Sequence, residues 1–283
     1  MKKILFIGNR FPVLNVLLRD SDFTVTHVLS QKDSFLQKDL DAQHIPYTSY
    51  GTDDKERVVS TILSAEYDIL VSNGCTFILP ISQFQNEHRV FINVHPSYLP
   101  YLRGRHPVNG VFIRNLQFTG ASVHFMDDSI DSGNIIARKK VSVSGGIDLW
   151  LLYRLSFILE AEVFQHAIIK LKKSNFTYQG YTIRSIGSYY TRKSEDMFVD
   201  LHTMSTETIL GRIKSFGIPT QGVTAVIEKK TYKIYKADKI TNSYLLTRYS
   251  QYKAGQILLE DQNQLLIRTI DGMIKISSFL IVG

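Results

Sequence analysis

The chain has 283 residues, 44% of them apolar, one cysteine and a formal net charge of +7 at pH 7. That length carries one large domain plus a smaller one, and the apolar content excludes a disordered chain. A single cysteine excludes an internal disulfide framework and fits a reducing, cytoplasmic setting. The leading apolar run Ile4-Leu5-Phe6-Ile7 stops far short of the roughly 20 residues of a membrane helix, so a soluble protein without membrane contact is expected. The positive charge favours an anionic partner, but Lys and Arg are scattered and form no block of like charge.

Lys3 to Ile7 reads as a buried strand, and Pro12 suits the first position of a helix that carries Val13 to Arg19. Phe23 to Leu29 is a second strand, followed by a polar helix near Phe35 to Gln43. Asp53 or Asp54 is placed to cap a helix bearing Val58, Ile62 and Ala65. Asp68 to Ser72 and Val90 to Val94 are two more strands. Strands alternating with helices in this way predict a Rossmann-like α/β domain with a mostly parallel sheet. After the first strand stands Gly8-Asn9-Arg10-Phe11-Pro12, not the G-x-G-x-x-G turn that seats a dinucleotide, which argues against a nicotinamide or flavin enzyme. Asn9 and Arg10 still occupy a strand's carboxyl end, where they either contact a ligand or supply ordinary loop polarity.

Thr119 to Met126 is a strand with Ser122, His124 and Met126 on one face, and Asn134 to Val143 is its antiparallel partner. Asp148 caps a long helix reaching about Lys172, with Leu152, Leu155, Leu159 and Val163 at helical spacing. His166 on that helix reads as a surface or packed residue. From Thr177 to Ser194 the texture turns to Gly, Ser, Tyr and Arg, which sets a domain boundary between 1–195 and 196–283. Beyond a helix at Thr206 to Phe216 come short strands near Gly222–Ile227, Thr231–Lys236, Gln256–Glu260, Leu265–Thr269 and Met273–Leu280, a small β-rich, OB-like domain.

Three polar residues stand out. Asn93 and His95 are two apart at the end of a strand and so face one space. In an open α/β sheet that end is where ligands bind. Asp131 lies on the Asp131-Ser132-Gly133 turn that follows a neighbouring strand. An amide, an imidazole and a carboxylate together suit acyl transfer to a nitrogen. Pro96 and Pro100 then bracket a rigid loop leading to Arg103-Gly104-Arg105.

The residues Asn93-Val-His95-Pro-Ser97-Tyr-Leu99-Pro100, then Arg103-Gly104, Gly120, His124 and Ile130-Asp131-Ser132-Gly133, resemble the folate-dependent formyltransferases. That family includes glycinamide ribonucleotide, methionyl-tRNA and sugar-nucleotide enzymes. The resemblance implies N10-formyltetrahydrofolate as co-substrate, no metal, and Asn93, His95 and Asp131 as the catalytic group. It implies that an amine attacks the formyl carbon, that Asn93 and His95 donate to the oxyanion, and that His95 takes the amine proton while Asp131 orients it. It also implies a pterin held mostly by the backbone of Phe77, Ile78 and Leu79 and of the Asp127-Asp128 loop. Gly74-Cys75-Thr76 departs from the commoner tyrosine-glycine pattern there, and Cys75 reads as a packed residue.

The acceptor is narrowed by resemblance too. Methionyl-tRNA enzymes carry a long basic loop after the second strand, and Ser30-Gln31-Lys32-Asp33-Ser34-Phe35-Leu36 is short, so nucleic acid is not the expected partner. A glycinamide ribonucleotide enzyme would begin with a glycine-rich phosphate loop and lack the second domain. A nucleotide-linked amino sugar fits best, with dTDP-4-amino-4,6-dideoxyglucose, a precursor of bacterial surface polysaccharide, placed first and 3-amino or UDP-linked sugars as alternatives. Asn9, Arg10, Ser97, Arg103, Gly104 and Arg105 would line its site, the arginines meeting the diphosphate. Trp150, Tyr153 or Tyr190 would stack on the base or sugar. A non-catalytic folate-, nucleotide- or RNA-binding relative is the contrasting reading. A homodimer is expected on family grounds, with Ile274, Ile276 and Leu280 either at its interface or in the small domain's own core.

Overall fold

The structure is a computed structural model that describes residues 1–86 and 88–282. From the amino end come β1 (Lys2–Gly8), α1 (Phe11–Leu18), β2 (Phe23–Gln31), α2 (Phe35–Ala42), β3 (Thr48–Tyr50) and α3 (Lys55–Ser64). Then follow β4 (Ile69–Asn73), α4 (Ile81–Phe84), β5 (Val90–His95), α5 (Pro107–Ile113), β6 (Phe118–Phe125), β7 (Ile135–Ser142) and α6 (Leu149–Lys173). After them stand α7 (Thr206–Phe216), β8 (Val223–Ile227), β9 (Lys230–Lys239), α8 (Ser243–Arg248), β10 (Ile257–Asp261), β11 (Gln264–Arg268) and β12 (Met273–Val282).

The first sheet has seven strands in the order β3-β2-β1-β4-β5-β6-β7. β3, β2, β1, β4 and β5 run parallel, while β6 and β7 are antiparallel additions beyond β5. The period of two in β1 divides its apolar side chains between the faces of a sheet buried on both sides. Ile4 and Phe6 join a core with Val13 and Leu17 of α1 and Val163 and Phe164 of α6, whereas Leu5 and Ile7 join another with Val58 and Ile62 of α3. Gly8 ends β1 because a Cβ there would stand 2.1 Å from the Asn73 carbonyl oxygen. The strand order reverses about β1, between β2 and β4, the kind of crevice where open α/β sheets bind ligands.

Local details differ from the sequence reading in instructive ways. Pro12 is the second residue of α1, after Phe11. Asp54 stands at the N-cap of α3, but its carboxylate accepts from the Gly51 N–H at 2.7 Å and pairs with Arg57 instead of capping. Asp148 does cap α6, accepting from the Leu151 N–H at 2.8 Å. β3, α4, α5 and α8 are too short for periodicity to announce them.

The chain forms two compact units: 1–107, 118–142 and 154–190 in one, and 108–117, 143–153 and 191–283 in the other. Two short segments that a single cut after 195 leaves with the larger domain therefore sit with the smaller unit. Hydrogen bonds explain this. Asn109 donates to Ser215 O at 2.7 Å and to Gln221 Oε1 at 2.8 Å, and the Tyr153 hydroxyl donates to Asn109 Oδ1 at 2.9 Å. The second unit holds five antiparallel strands in the order β10-β11-β12-β9-β8. Ile274 and Ile276 lie in its core with Val199, Ile213 and Phe216, while Leu280 is exposed. No helix among the described residues is long and apolar enough to cross a membrane.

Candidate active site

β5 delivers Asn93 and His95 at its carboxyl end, and the antiparallel register of β6 sets His124 directly opposite Asn93. Cross-strand partners share a face, and the Asn93 amide nitrogen donates to His124 Nε2 at 3.0 Å. His124 Nδ1 lies 2.7 Å from the Phe125 carbonyl oxygen, which can only accept, so Nδ1 carries the proton and Nε2 is left as an acceptor. The loop after β6 returns Asp131 to the same place with a left-handed backbone, φ 50°. Gly133 closes that turn because a Cβ would stand 2.0 Å from Phe125 O.

One oxygen is the centre of the site. Asp131 Oδ1 is 3.2 Å from the Asn93 amide nitrogen and 3.5 Å from both His95 Nδ1 and His124 Nε2. Its other oxygen, Oδ2, accepts from the Gly104 N–H at 2.8 Å. His95 Nε2 donates to the Leu102 carbonyl at 2.9 Å, so in the neutral ring Nδ1 is the unprotonated nitrogen and faces the carboxylate.

The electrostatics follow from burial. His95 is 5% exposed. Burial lowers its pKa, assisted by the charges of His124 and Arg10 and opposed by Asp131 and the Leu102 carbonyl, so the ring is neutral near pH 7. Burial on its own would raise the Asp131 pKa, but His95, His124 and the Gly104 N–H outweigh it and hold the carboxyl well below the usual range. The site therefore pairs a fixed carboxylate with a neutral imidazole whose tautomer is set.

The two segments expected to hold a pterin also meet. Asp128 Oδ1 accepts from the Ser82 N–H at 3.0 Å, which brings the Asp127-Asp128 loop beside the start of α4, and this bond keeps the Asp128 pKa low. Asp127 accepts from the Ser129 N–H and the Ser132 hydroxyl. Leu79 is buried, and the Phe77 ring lies 5.5 Å from that of Tyr50. Ile78 is 54% exposed, and among the described residues no hydrogen bond engages its N–H or C=O. Burial pushes the Cys75 thiol up to about 11, consistent with a packed residue.

Several expected substrate contacts turn inward. Asn9 donates to Gln31 at 3.1 Å. Arg10 is paired with Glu160 and stacks on Phe157, so it is no free loop cation. Ser97 is buried, its hydroxyl donating to Tyr101 O at 2.6 Å. Tyr190 is 5% exposed, which removes its ring face from a stacking role, and Tyr153 is tied to Asn109. Trp150 is exposed and belongs to the second unit, whereas Asn93, His95 and Asp131 belong to the first. Arg105 is exposed, and Arg103 donates to the Tyr189 hydroxyl at 3.1 Å while its buried Nε has no partner.

Sequence reading missed the parts played by Leu102 O, the Gly104 N–H and His124. The first two are backbone groups without a side-chain signature. His124 did carry a signal, its alternation with Ser122 on a strand face, but not the strand it would face.

An α/β sheet with an amide, an imidazole and a carboxylate gathered at its strand ends is equipped for acyl transfer to a nitrogen. Residues 5–167 match the family described as formyl transferase, and residues 192–280 match the formyl transferase C-terminal domain. The chain belongs to the formyl transferase family, a folate-dependent one. It is 24% identical over 226 residues to the methionyl-tRNA formyltransferase of Geobacter metallireducens, covering 80% of this chain and 70% of that one. HypX from Aquifex aeolicus in complex with tetrahydrofolic acid aligns with a TM-score of 0.68 and 15% identity, over 98% of this chain and 44% of HypX. This chain thus spans less than half of that protein. The N-formyltransferase from Helicobacter canadensis in complex with folinic acid and dTDP-3-aminofucose aligns with a TM-score of 0.70 and 18% identity, over 99% of this chain and all of that one (100%). Both structural likenesses are of fold.

Proposed function

We propose that this chain transfers the formyl group of N10-formyltetrahydrofolate to the amino group of a nucleotide-linked amino sugar, with dTDP-4-amino-4,6-dideoxyglucose as the first candidate. The observation that carries the reading is the convergence of Asn93, His95 and His124 on Asp131 Oδ1. At the segment expected to hold the folate the reading is supported by Ile78, which offers an exposed apolar side chain and, among the described residues, unengaged backbone donor and acceptor groups that would suit a flat, polar-edged pterin. The bound folate supplies an activated formyl carbon.

His95 Nδ1, neutral and unprotonated, accepts a proton from the attacking amine as the new C–N bond forms. The protonated ring now donates through Nδ1 to Asp131 Oδ1, the nearest acceptor. An Asn93 amide hydrogen turns to the oxyanion as the negative charge develops there. A donor of this kind contributes about 3 kcal/mol to lowering the barrier. The imidazolium then returns its proton to the departing folate nitrogen as the old C–N bond breaks. Both amide hydrogens of Asn93 are engaged in the resting site, so one leaves its resting partner to donate to the oxyanion.

The sugar reading is supported by the link between β2 and α2, which is only Lys32-Asp33-Ser34 and leaves no room for a basic tRNA loop. Arg103, with an unpartnered Nε, and exposed Arg105 are the cations left for a diphosphate. The curated methionyl-tRNA relatives favour aminoacyl-tRNA as the second reading. The test is mass spectrometry after incubation with N10-formyltetrahydrofolate and dTDP-4-amino-4,6-dideoxyglucose. The expected product is heavier by one formyl group and absent with His95→Ala. No formylation of any 3- or 4-amino nucleotide sugar, with turnover on methionyl-tRNA, overturns the sugar reading in favour of tRNA.

A further inference from the structure

The groups that orient His95 and Asp131 sit on one stretch of loop, Leu102 to Gly104, and that stretch does not hold itself. Leu102 has a left-handed backbone, φ 57°, a conformation a branched side chain adopts only where its surroundings impose it. The amide of Leu102 donates to Ser188 Oγ at 3.0 Å, and the amide of Arg103 donates to Ser188 O at 2.8 Å. Ser188 N donates to Pro100 O at 3.1 Å, and Tyr190 N donates to Arg103 O at 2.8 Å. Gly187 lets the two segments close up, since a Cβ there would stand 2.4 Å from Pro100 O. Residues 187–190 are thus a strap laid parallel to 100–103, Leu102 and Ser188 standing 86 positions apart in the chain.

We propose that Ser188 is a positioning residue for the proton transfer at His95. Its hydroxyl and carbonyl fix the loop that aims the Leu102 carbonyl at His95 Nε2 and the Gly104 N–H at Asp131 Oδ2. The proposal rests on the role assigned above to His95, but its physical core, control of the imidazole by the strap, stands apart from the choice of acceptor. The groups facing His95 are Asp131 on the loop after β6, His124 on β6, Leu102 O, and the charge of Arg10 after β1. Of these the strap acts on the Leu102 and Gly104 contacts.

The Leu102 carbonyl favours the protonated ring, so loosening it lowers the pKa of His95. In Ser188→Ala the titration of the His95 ring, followed by NMR without substrate, moves to lower pH, and exchange of the Leu102 amide quickens. Ser188→Thr, which restores a hydroxyl, brings both back. Tyr189→Phe removes an Arg103 contact but no bond to Leu102 or Gly104, and leaves the titration in place. Where turnover is measured, Ser188→Ala lowers kcat about 10-fold, the size of one lost hydrogen bond, with both KM values within about two-fold. An unchanged His95 titration and unchanged Leu102 exchange in Ser188→Ala overturn the proposal. A shifted titration in a protein that formylates no amine keeps the strap and instead sinks the formyl-transfer reading.

Discussion

Two groups of buried polar side chains organise this molecule, and they are built on opposite terms. In the second unit, Asn109, Tyr153 and Gln221 form a neutral ring of hydrogen bonds closed on the Ser215 carbonyl. In the first unit, Asn93, His95, His124 and Asp131 crowd around a carboxylate oxygen at distances up to 3.5 Å. The neutral ring holds no carboxylate and no imidazole, and its hydrogen bonds specify how its segments pack. The group around Asp131 carries one carboxylate and two ring nitrogens without a proton, His95 Nδ1 and His124 Nε2, so it has places for an arriving proton. Polar burial gives rigidity in the one and reactivity in the other.

The largest effect is expected from His95→Ala, which lowers kcat by about 1,000-fold while the denaturation midpoint stays near that of the parent. A surviving rate would reduce the catalytic group to a second packing device. Next comes Asp131→Asn, for which kcat falls about 100-fold. The wild-type kcat/KM declines on the acid side at a pH below the ordinary histidine value, because burial depresses His95. Removing the carboxylate that favours the protonated ring carries this acid limb to still lower pH, which a pH–rate profile reads directly.

The neutral ring answers differently. Asn109→Ala leaves Ser215 O, Gln221 Oε1 and the Tyr153 hydroxyl short of a partner, and is expected to cost about 2 kcal/mol of stability by denaturant titration. Because the ring holds no carboxylate and no imidazole, that loss is expected to be the same at pH 6 and pH 8. The smallest effect sharpens the comparison with a third cluster. Glu160, fully buried, accepts from Asn73 at 3.0 Å and pairs with Arg10, and burial pushes its carboxyl up to about 7. A carboxyl raised above its unfolded value stabilises the fold at low pH and loses that contribution as pH rises through about 7. The Glu160 contribution is therefore expected to fall from pH 5 to pH 8, while the depressed His95 acts in the opposite sense, and Glu160→Gln is expected to make the stability profile decline less over that range than it does in the parent. An equally steep decline in the variant assigns the effect elsewhere.

Much of this site was legible in the chain itself. Asn93 and His95 are two residues apart on a strand, and period two alone puts them on one face. Asp131 announced itself through the Asp-Ser-Gly turn. The pairing of Arg10 was not legible because its partner Glu160 lies 150 residues on and nothing near Arg10 in sequence marks it. The burial of Tyr190 was not legible either: an aromatic in a Gly- and Ser-rich stretch reads as exposed, but its backbone is paired with Arg103 and the residue is buried.

Local periodicity and short spacings were enough to read the alternation of strands and helices and the meeting of Asn93 and His95 at a strand end, while the family was reached through the resemblance of the Asn93-to-Pro100 and Ile130-to-Gly133 motifs and the family match. Only the tertiary structure decided which nitrogen of His95 is free, which oxygen the site shares, and what holds the loop beneath it. Those depend on backbone groups of Leu102 and Gly104 and on the strap at Ser188, brought together across 86 residues. A carbonyl or an amide is present at nearly every position, so only its placement, not its identity, distinguishes it.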